Sequence, residues 1–391
     1  MPEGPVNPSW SGVPSVPEAR PRRASGSPVV RYARAACVAV AAASLGGLVS
    51  PWLSRSLIGR GDALAWAVDL AAHWQWLFTV LLAAGVVAAV ALGGRRSATL
   101  LLALPLPWLS AAPPLEPAAN RAEAGESLAV ASANVYYRNR DPAPLRAWLD
   151  EIRPDILVIV EINHRFARAL EGAGWQDYPH RYLAPRSDAF GLAVLSRHPL
   201  ETASVWRDRQ GVGVLLARVA WRGRGISLAG FHPMTPQSVG DHLERNRVLD
   251  CLTPASPGRP GRTIVDGAIV AGDFNATPWS VAFAGPTGRG WRRATGLSPT
   301  WPEAWHGLMG IPIDHVLAND AWRLVTAERG PDIGSDHLPV VARLRLAPET
   351  DPPADAAVPR DGEAAARTRG EPIAAVTSCL SRAPANARSG A

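Results

Sequence analysis

The sequence predicts an α/β domain of two β-sheets behind an N-terminal bundle of three transmembrane helices. Three observations lead there. Apolar runs at about 35–53, 74–92 and 98–112 approach or reach the length needed to cross a bilayer core, about 20 helical residues. From 127 to about 346 the pattern changes to short apolar runs separated by turns. Several of those runs end in, or open on, a carboxylate, an amide or an imidazole.

Residues 1–34 are rich in Pro, Ser, Gly and Arg and read as a disordered tail. Residues 35–112 form the transmembrane region. Its first run, Ala35 to Leu53, is long enough to span, and the second, Trp74 to Leu92, is more strongly apolar. The third, Ala98 to Ala112, is the shortest and carries Pro105 and Pro107 near its end. Arg20, Arg22, Arg23, Arg31 and Arg34 precede the first run, and Arg95 and Arg96 separate the second from the third. The positive-inside bias then sets the N-terminus in the cytoplasm. Three crossings put everything beyond about residue 115 outside it, as a multi-pass protein of the cell membrane. Without the third crossing the orientation reverses. A cleaved signal peptide fits less well, because the charged leader is long and further apolar runs follow. Asp69 and His73, one helical turn apart, are expected in the interfacial loop before the second run rather than as an intramembrane pair.

Residues 113–126, opening on Pro113-Pro114-Leu115-Glu116-Pro117, read as a linker. The α/β domain spans 127–346. Its expected strands are Leu128–Val135, Ile156–Val160, Gly191–Leu195, Gly213–Ala220, Ile226–Phe231, Ala268–Ala271, His315–Ala318 and Val340–Leu344. Helices are expected over Pro142–Ile152 and Asp241–Leu252. Residues 347–391, rich in Pro, Ala, Arg and Glu, read as a second disordered tail.

Composition narrows the function classes only slightly. Arg supplies all of the basic charge, for the chain contains no Lys, and the net charge is +6. A GC-rich genome accounts for most of the Arg, Ala, Pro and Gly. The Arg excess falls largely in the N-terminal tail and between the apolar runs, where topology explains it better than nucleic-acid binding does. Cys37, Cys251 and Cys379 follow no metal-binding or disulfide spacing and so leave the redox compartment open.

The chemistry gathers at strand ends. Asn134 closes the first strand of the domain and Glu161 follows the second. His232 follows Ile226–Phe231, and Gly272-Asp273-Phe274-Asn275 follows Ala268–Ala271. Asp314-His315 opens another strand, and Ser335-Asp336-His337 precedes the last. Singly, each has an ordinary structural explanation: a solvated strand end, an Asp/Asn turn or a packed histidine. Together they suit a hard metal ion and a phosphate ester.

In order and approximate spacing, these residues resemble the endonuclease/exonuclease/phosphatase superfamily, which includes deoxyribonuclease I-like nucleases, inositol-polyphosphate phosphatases and neutral sphingomyelinases. The resemblance covers 127–346 and implies a four-layer two-sheet sandwich with the active site at one edge. It also implies a Mg²⁺-dependent phosphoesterase, with Mn²⁺ as the alternative ion. Glu161 is the expected direct ligand, with Asn134 and Asp336 beside the metal. Asp273 would orient or deprotonate an attacking water and Asn275 would donate to the phosphate. His337, held by Asp314, would act as base or as a cation. His232 would donate to a phosphate oxygen or to the leaving group. His315 is expected to be structural. Which of Asp273 and His337 generates the nucleophile stays open.

Four arginines, Arg138, Arg186, Arg245 and Arg247, offer planar donors to phosphate, although most are expected to be solvated surface groups. Trp279, Trp291, Trp301 and Trp305 either form an apolar lip for a lipid chain or pack beneath a loop. The layout resembles bacterial membrane-anchored members of the superfamily, some of them associated with glycopeptide resistance in actinomycetes. That likeness implies a lipid-linked phosphate such as undecaprenyl diphosphate as substrate, outside the cytoplasm. The alternative is a nuclease acting on extracellular DNA or RNA, which would want a basic, aromatic-bearing groove at the site; the domain sequence has no dense Arg run, which counts mildly against it. A scaffold with a decayed site conflicts with the complete set of polar residues. No protein partner is evident.

Overall fold

The computed structural model describes residues 27–118, 127–172, 174–255, 267–307, 310–347 and 371–381. The chain begins with helix α1 (Pro28–Ser56), followed by α2 (Asp62–Ala72) and α3 (Gln75–Ala91). Of these, α1 alone is long and apolar enough to cross a membrane, or to serve as a signal sequence. The pair α2 and α3 meets the same test only when taken together, across a bend of 64°. The third apolar run is not one α-helix. It divides into a 3₁₀ helix (Arg95–Ala103) and a single turn, α4 (Leu106–Ser110). Pro105 and Pro107 lack the N–H groups that a continuous helix would use there.

α1 and α3 run antiparallel, with Gly47 against Phe78 and Gly85 against Cys37 and Ala41. These glycines let the two backbones approach closely, as small residues do between apolar helices. Beyond this bundle, Ala112, Leu115 and Ala118 donate backbone hydrogen bonds to Pro278, Arg293 and Leu324, so the first residues of the expected linker lie along the α/β domain.

That domain is built from two six-stranded sheets. The first contains β1 (Leu128–Asn134), β2 (Ile156–Val160), β3 (His180–Ala184), β4 (Leu192–Ser196), β11 (Trp322–Arg329) and β12 (Val340–Leu346). Their order is β11-β12-β1-β2-β4-β3. The second contains β5 (Leu200–Arg207), β6 (Gly213–Trp221), β7 (Arg224–Phe231), β8 (Ala268–Asp273), β9 (Arg292–Arg293) and β10 (Asp314–Ala318). Its order is β5-β6-β7-β8-β10-β9. Each sheet has one parallel pair, β1–β2 and β7–β8, among antiparallel neighbours. A parallel pair requires a crossover. Here α5 (Ala143–Ile152) and α7 (Val239–Leu252) supply it.

Apolar residues of the facing sheet surfaces, among them Val130, Val158, Leu215, Ile269, Val316 and Trp322, form the central core. On the outer side of the first sheet lie α5 and α6 (His164–Leu170), through Leu145, Trp148, Phe166 and Leu170. Leu249, Leu252, Phe274 and Phe283 cover the second sheet. Helices therefore enclose two mixed sheets, the expected α/β sandwich. The elements α8 (Ala284–Gly288) and α9 (Glu371–Ser381) complete the chain. The expected disordered tail thus contains a helix, and Val376 and Leu380 of α9 are buried against the second sheet. Cys379 forms a disulfide with Cys251 of α7, a pairing that its separation of 128 residues hides in the sequence, while Cys37 is free.

Candidate active site

The carboxyl ends of both parallel pairs converge. Asn134 ends β1 and Glu161 follows β2, while His232 follows β7 and Asp273 ends β8. The antiparallel β10 enters this edge with Asp314 directly opposite Asp273. β12, antiparallel to β1, carries His337 in the turn before it.

Asn134 links the two sheets. Its Nδ2 donates to Glu161 Oε1 at 2.9 Å and to Asp273 Oδ2 at 3.3 Å. The backbone N–H of Tyr137 donates to Glu161 Oε2 at 3.0 Å. His232 Nε2 lies 3.5 Å from Asp273 Oδ2 and 3.8 Å from Glu161 Oε1. Its buried Nδ1 has no hydrogen-bond partner, and the Phe190 ring packs beside the imidazole at 5.7 Å. On the other side His337 Nδ1 is 2.9 Å from Asp314 Oδ2, and its Nε2 is 3.7 Å from Asp273 Oδ2. Asp273 therefore lies between two imidazoles.

Local backbone geometry serves these contacts. Glu161, Asn275 and Tyr136 adopt positive φ (62°, 47° and 61°), a region costly for residues with a Cβ. Gly272 has φ 149°, and a Cβ there would clash with the Phe231 carbonyl. Only glycine lets β8 approach the end of β7 so closely. Asn275 N–H donates to Asp273 Oδ1, and Asn275 Nδ2 donates to the Pro233 carbonyl. Thr235 Oγ1 donates to Asn275 Oδ1 at 3.4 Å.

Burial pushes the Asp273 carboxyl up to about 6; His337 opposes that rise and Asp314 adds to it. At His337 burial disfavours the cation, but Asp314 and then Asp273 outweigh it and push the pKa up to about 10. At neutral pH the pair is a carboxylate beside an imidazolium.

Asp273, Asp314 and His337 offer ligand atoms within 4.8 Å of one another. The 2.9 Å bond between His337 and Asp314, however, commits that imidazole face to its carboxylate. Glu161 and Asp273 fit a divalent ion better. They are bridged by an amide, and among the described residues their ion pairs are with histidines, not with arginine. Two carboxylates joined through one amide suit a hard cation.

Of the expected site residues, Asn134, Glu161, His232, Asp273, Asn275, Asp314 and His337 come together. Asp336, beside His337 in the same turn, is exposed; its carboxylate accepts from the Trp301 indole at 3.2 Å and favours the His337 cation. His315 is buried between Thr295 and the Ala276 carbonyl, a packing role. Among the arginines, Arg186 pairs with Asp188, Arg247 with Glu244, and the exposed Arg138 with the Tyr137 hydroxyl. Arg245 is fully buried and is no surface phosphate ligand. Trp279 and Trp291 are buried, which corrects the lip reading for both, and Trp305 lies outside the residues whose side chains are described. Of the four tryptophans, Trp301 borders the site, its ring 6.4 Å from that of His337; Phe190 and Thr235 also border it, with no motif to mark them.

The family model described as Endonuclease/Exonuclease/phosphatase family matches residues 131–337, just over half of the chain. The chain belongs to that family, whose members are hydrolases of phosphate esters that generally use a divalent metal. Among solved structures it is similar to the endonuclease/exonuclease/phosphatase from Beutenbergia cavernae DSM 12333, at 21% identity over 57% of this chain and 72% of that one, TM-score 0.45. D. rerio TDP2 complexed with single strand DNA product is 16% identical over 56% of this chain and 99% of that chain, TM-score 0.46. Sphingomyelinase C from Streptomyces griseocarneus is 17% identical over 56% and 99%, TM-score 0.43. No curated protein matches the chain.

Proposed function

We propose that the chain is a membrane-anchored, metal-dependent phosphoesterase that hydrolyses a lipid-linked phosphate or diphosphate outside the cytoplasm. The observation that carries this reading is the position of the active-site rim against the N-terminal helices. Trp66 of α2 donates its indole N–H to the Pro236 carbonyl at 2.9 Å, in the loop that bears His232 and Thr235. Trp76 of α3 donates to the Leu297 carbonyl, and Trp279 to the Pro107 carbonyl in α4. The reacting centre is thus one loop away from apolar helices whose outer side chains, such as Val49, Leu53, Val80, Leu81 and Val87, are exposed. Large exposed apolar surfaces of this kind fit lipid. An enzyme fixed there meets membrane-bound substrate at high effective concentration.

Two observations support the outward orientation. A 3₁₀ helix rises about 2.0 Å per residue against 1.5 Å in an α-helix, so the third run, 95–110, covers about the length of α3. Its start lies by Arg34 at the head of α1, and at its end the Ser110 carbonyl accepts from Arg55 at the foot of α1. If all three legs cross, the positive-inside bias favours an α/β domain on the side opposite the Arg-rich N-terminus. The Cys251–Cys379 disulfide supports the same side, since disulfides persist chiefly in oxidising compartments.

Glu161, with Asn134 and Asp273 beside it, would hold a divalent ion, which when bound neutralises charge on the phosphate oxygens. The chain's own groups do the rest. Asp273 takes a proton from water as the water oxygen attacks phosphorus, since His337, already protonated, has no site to accept one. The His337 imidazolium, fixed by Asp314, faces the developing charge. The second N–H of the Asn275 amide is free to donate to phosphate. As the bond to the leaving oxygen breaks, His232 Nε2 supplies a proton to it.

The test uses the full chain in lipid vesicles with Mg²⁺, assayed on undecaprenyl diphosphate and on plasmid DNA. Phosphate release abolished by chelator and by Glu161→Ala is expected. DNA cleavage without lipid hydrolysis would refute the lipid substrate, and activity indifferent to chelator would refute the metal.

A further inference from the structure

We infer that Asp69, on a helix of the N-terminal region, is a positioning residue for the active site and acts through Arg245 and the segment that follows Asn275. The inference rests on the phosphoesterase reading above for its kinetic consequence, though not for its structural one.

Asp69 and His73 do not lie in a loop. Asp69 is on α2, His73 ends it, and both are buried against the α/β domain. Asp69 Oδ1 accepts from the backbone N–H of Val281 at 2.7 Å. Its Oδ2 accepts from Ser280 Oγ at 2.8 Å and from Arg245 Nη2 at 3.1 Å. His73 Nδ1 accepts from the backbone N–H of Thr277 at 3.2 Å. From the other side Arg245 Nη1 donates to the carbonyl of Asn275 at 2.8 Å. The segment 275–281 is therefore held at its start by Arg245 and further along by His73 and Asp69. Asn275 begins it with φ 47°, a conformation that its surroundings must enforce.

Asp69 is 0% exposed and Arg245 1%, and the latter's guanidinium is also met by Ser280 and by His242 Nδ1 at 3.3 Å. A buried arginine without its carboxylate is strongly unfavourable, so loss of Asp69 would displace Arg245 and with it the Asn275 carbonyl. A shift of about 1 Å at a catalytic group costs on the order of 100-fold in rate. The anchor is then a working part of the active site and not only a tether.

The experiment uses the full chain in vesicles and combines a double-mutant cycle with hydrogen exchange. Asp69→Asn keeps the shape and removes the charge; kcat is expected to fall about 10- to 100-fold with KM changed far less. In an Asn275→Ala background the same substitution should cost almost nothing, because it acts through Asn275. Ser280→Ala, a milder change, should reproduce a smaller loss. Amide exchange over 275–281 should rise in Asp69→Asn while that of β8 stays unchanged. An equal kcat loss in both backgrounds, or unaltered exchange over 275–281, would overturn the role assigned to Asp69. Wild-type chain that hydrolyses no phosphate compound, yet shows the exchange response, would instead refute the phosphoesterase reading and leave the clamp standing.

Discussion

The N-terminal helices and the α/β domain handle apolar surface in opposite ways. Among the described residues, all the exposed large apolar side chains except Trp206 and Leu243 lie between Val29 and Leu109. In the α/β domain such residues point inward, into the core between the sheets and the two layers outside them. The bundle's own core is small, centred on Ala41, Leu48, Leu82 and Val86. One region is built to meet a lipid-like solvent, the other to exclude water from its centre. The polar side chains that join them, Asp69, His73 and Arg245, are buried at the contact and belong to neither pattern.

The sharpest separation of the two regions comes from Glu161→Ala. It should lower phosphoester hydrolysis by about 100- to 1,000-fold, the scale for removing one group that stabilises charge in the transition state. Retention in the membrane fraction should be unchanged. Loss of membrane retention together with activity would mean that the regions do not act independently at this position.

The pH profile follows next in size. Asp273 has to be ionised to accept a proton, so below about pH 6 the rate should fall roughly tenfold per unit. A bound divalent ion would move that limb lower. Above about pH 10 His337 loses its proton and the rate should fall again. Stability shares the sign of the rate at His337 and has the opposite sign at Asp273. The raised pKa of His337 contributes stability that is fully present below its ordinary 6.5 and is lost as pH rises through about 10. The raised pKa of Asp273 likewise contributes below 3.8 and is lost as pH rises through about 6. A rate that falls as pH rises from 5 to 8 would remove Asp273 from the proton-accepting role.

How much of this was legible in the sequence depends on position within the sheets. Every strand expected from the apolar runs is present, and all of them are inside the sheets. The four strands that the runs did not reveal, β3, β5, β9 and β11, are the four edges. An edge strand meets solvent along one side, so its residues are mixed, as in His180–Ala184 and Trp322–Arg329, and its alternation is weak. The site was legible because strand ends bring its residues together through the topology alone. Arg245 and Asp69 were not, since nothing local tells a buried long-range ion pair from two solvated charges. The third apolar run was readable as apolar but not as 3₁₀, a difference that depends on how it packs between α1 and α3.

A smaller effect is expected inside the bundle. A Cβ on Gly85 would approach the Cys37 carbonyl at 3.0 Å, so Gly85→Leu must separate α1 from α3. Overpacking of this kind costs about 1–3 kcal/mol. Lower yield in the membrane fraction and a lower Tm should follow, with kcat of the surviving protein reduced less than by Asp69→Asn. An unaltered Tm would show that the helices are not held by this close approach.

The smallest kinetic effect should come from the disulfide, which is nonetheless the most direct test of which side of the membrane the α/β domain occupies. Cys251 and Cys379 fasten α9 to α7 on the outer face of the second sheet, and among the described residues the hydrogen bonds and ion pairs of Asp273, His232 and His337 involve neither. Reduction should therefore free α9, raise amide exchange over 371–381, and leave the hydrolysis rate within about twofold, as changes remote from a site usually do. In intact cells the two thiols should resist alkylation until a membrane-impermeant reductant is added, because disulfides persist in oxidising compartments and are rare in the cytosol. Thiols that react only after the membrane is permeabilised, without any reductant, would place this domain in the cytoplasm. The bundle would then cross the membrane an even number of times, and the third leg, 95–110, would not be a crossing.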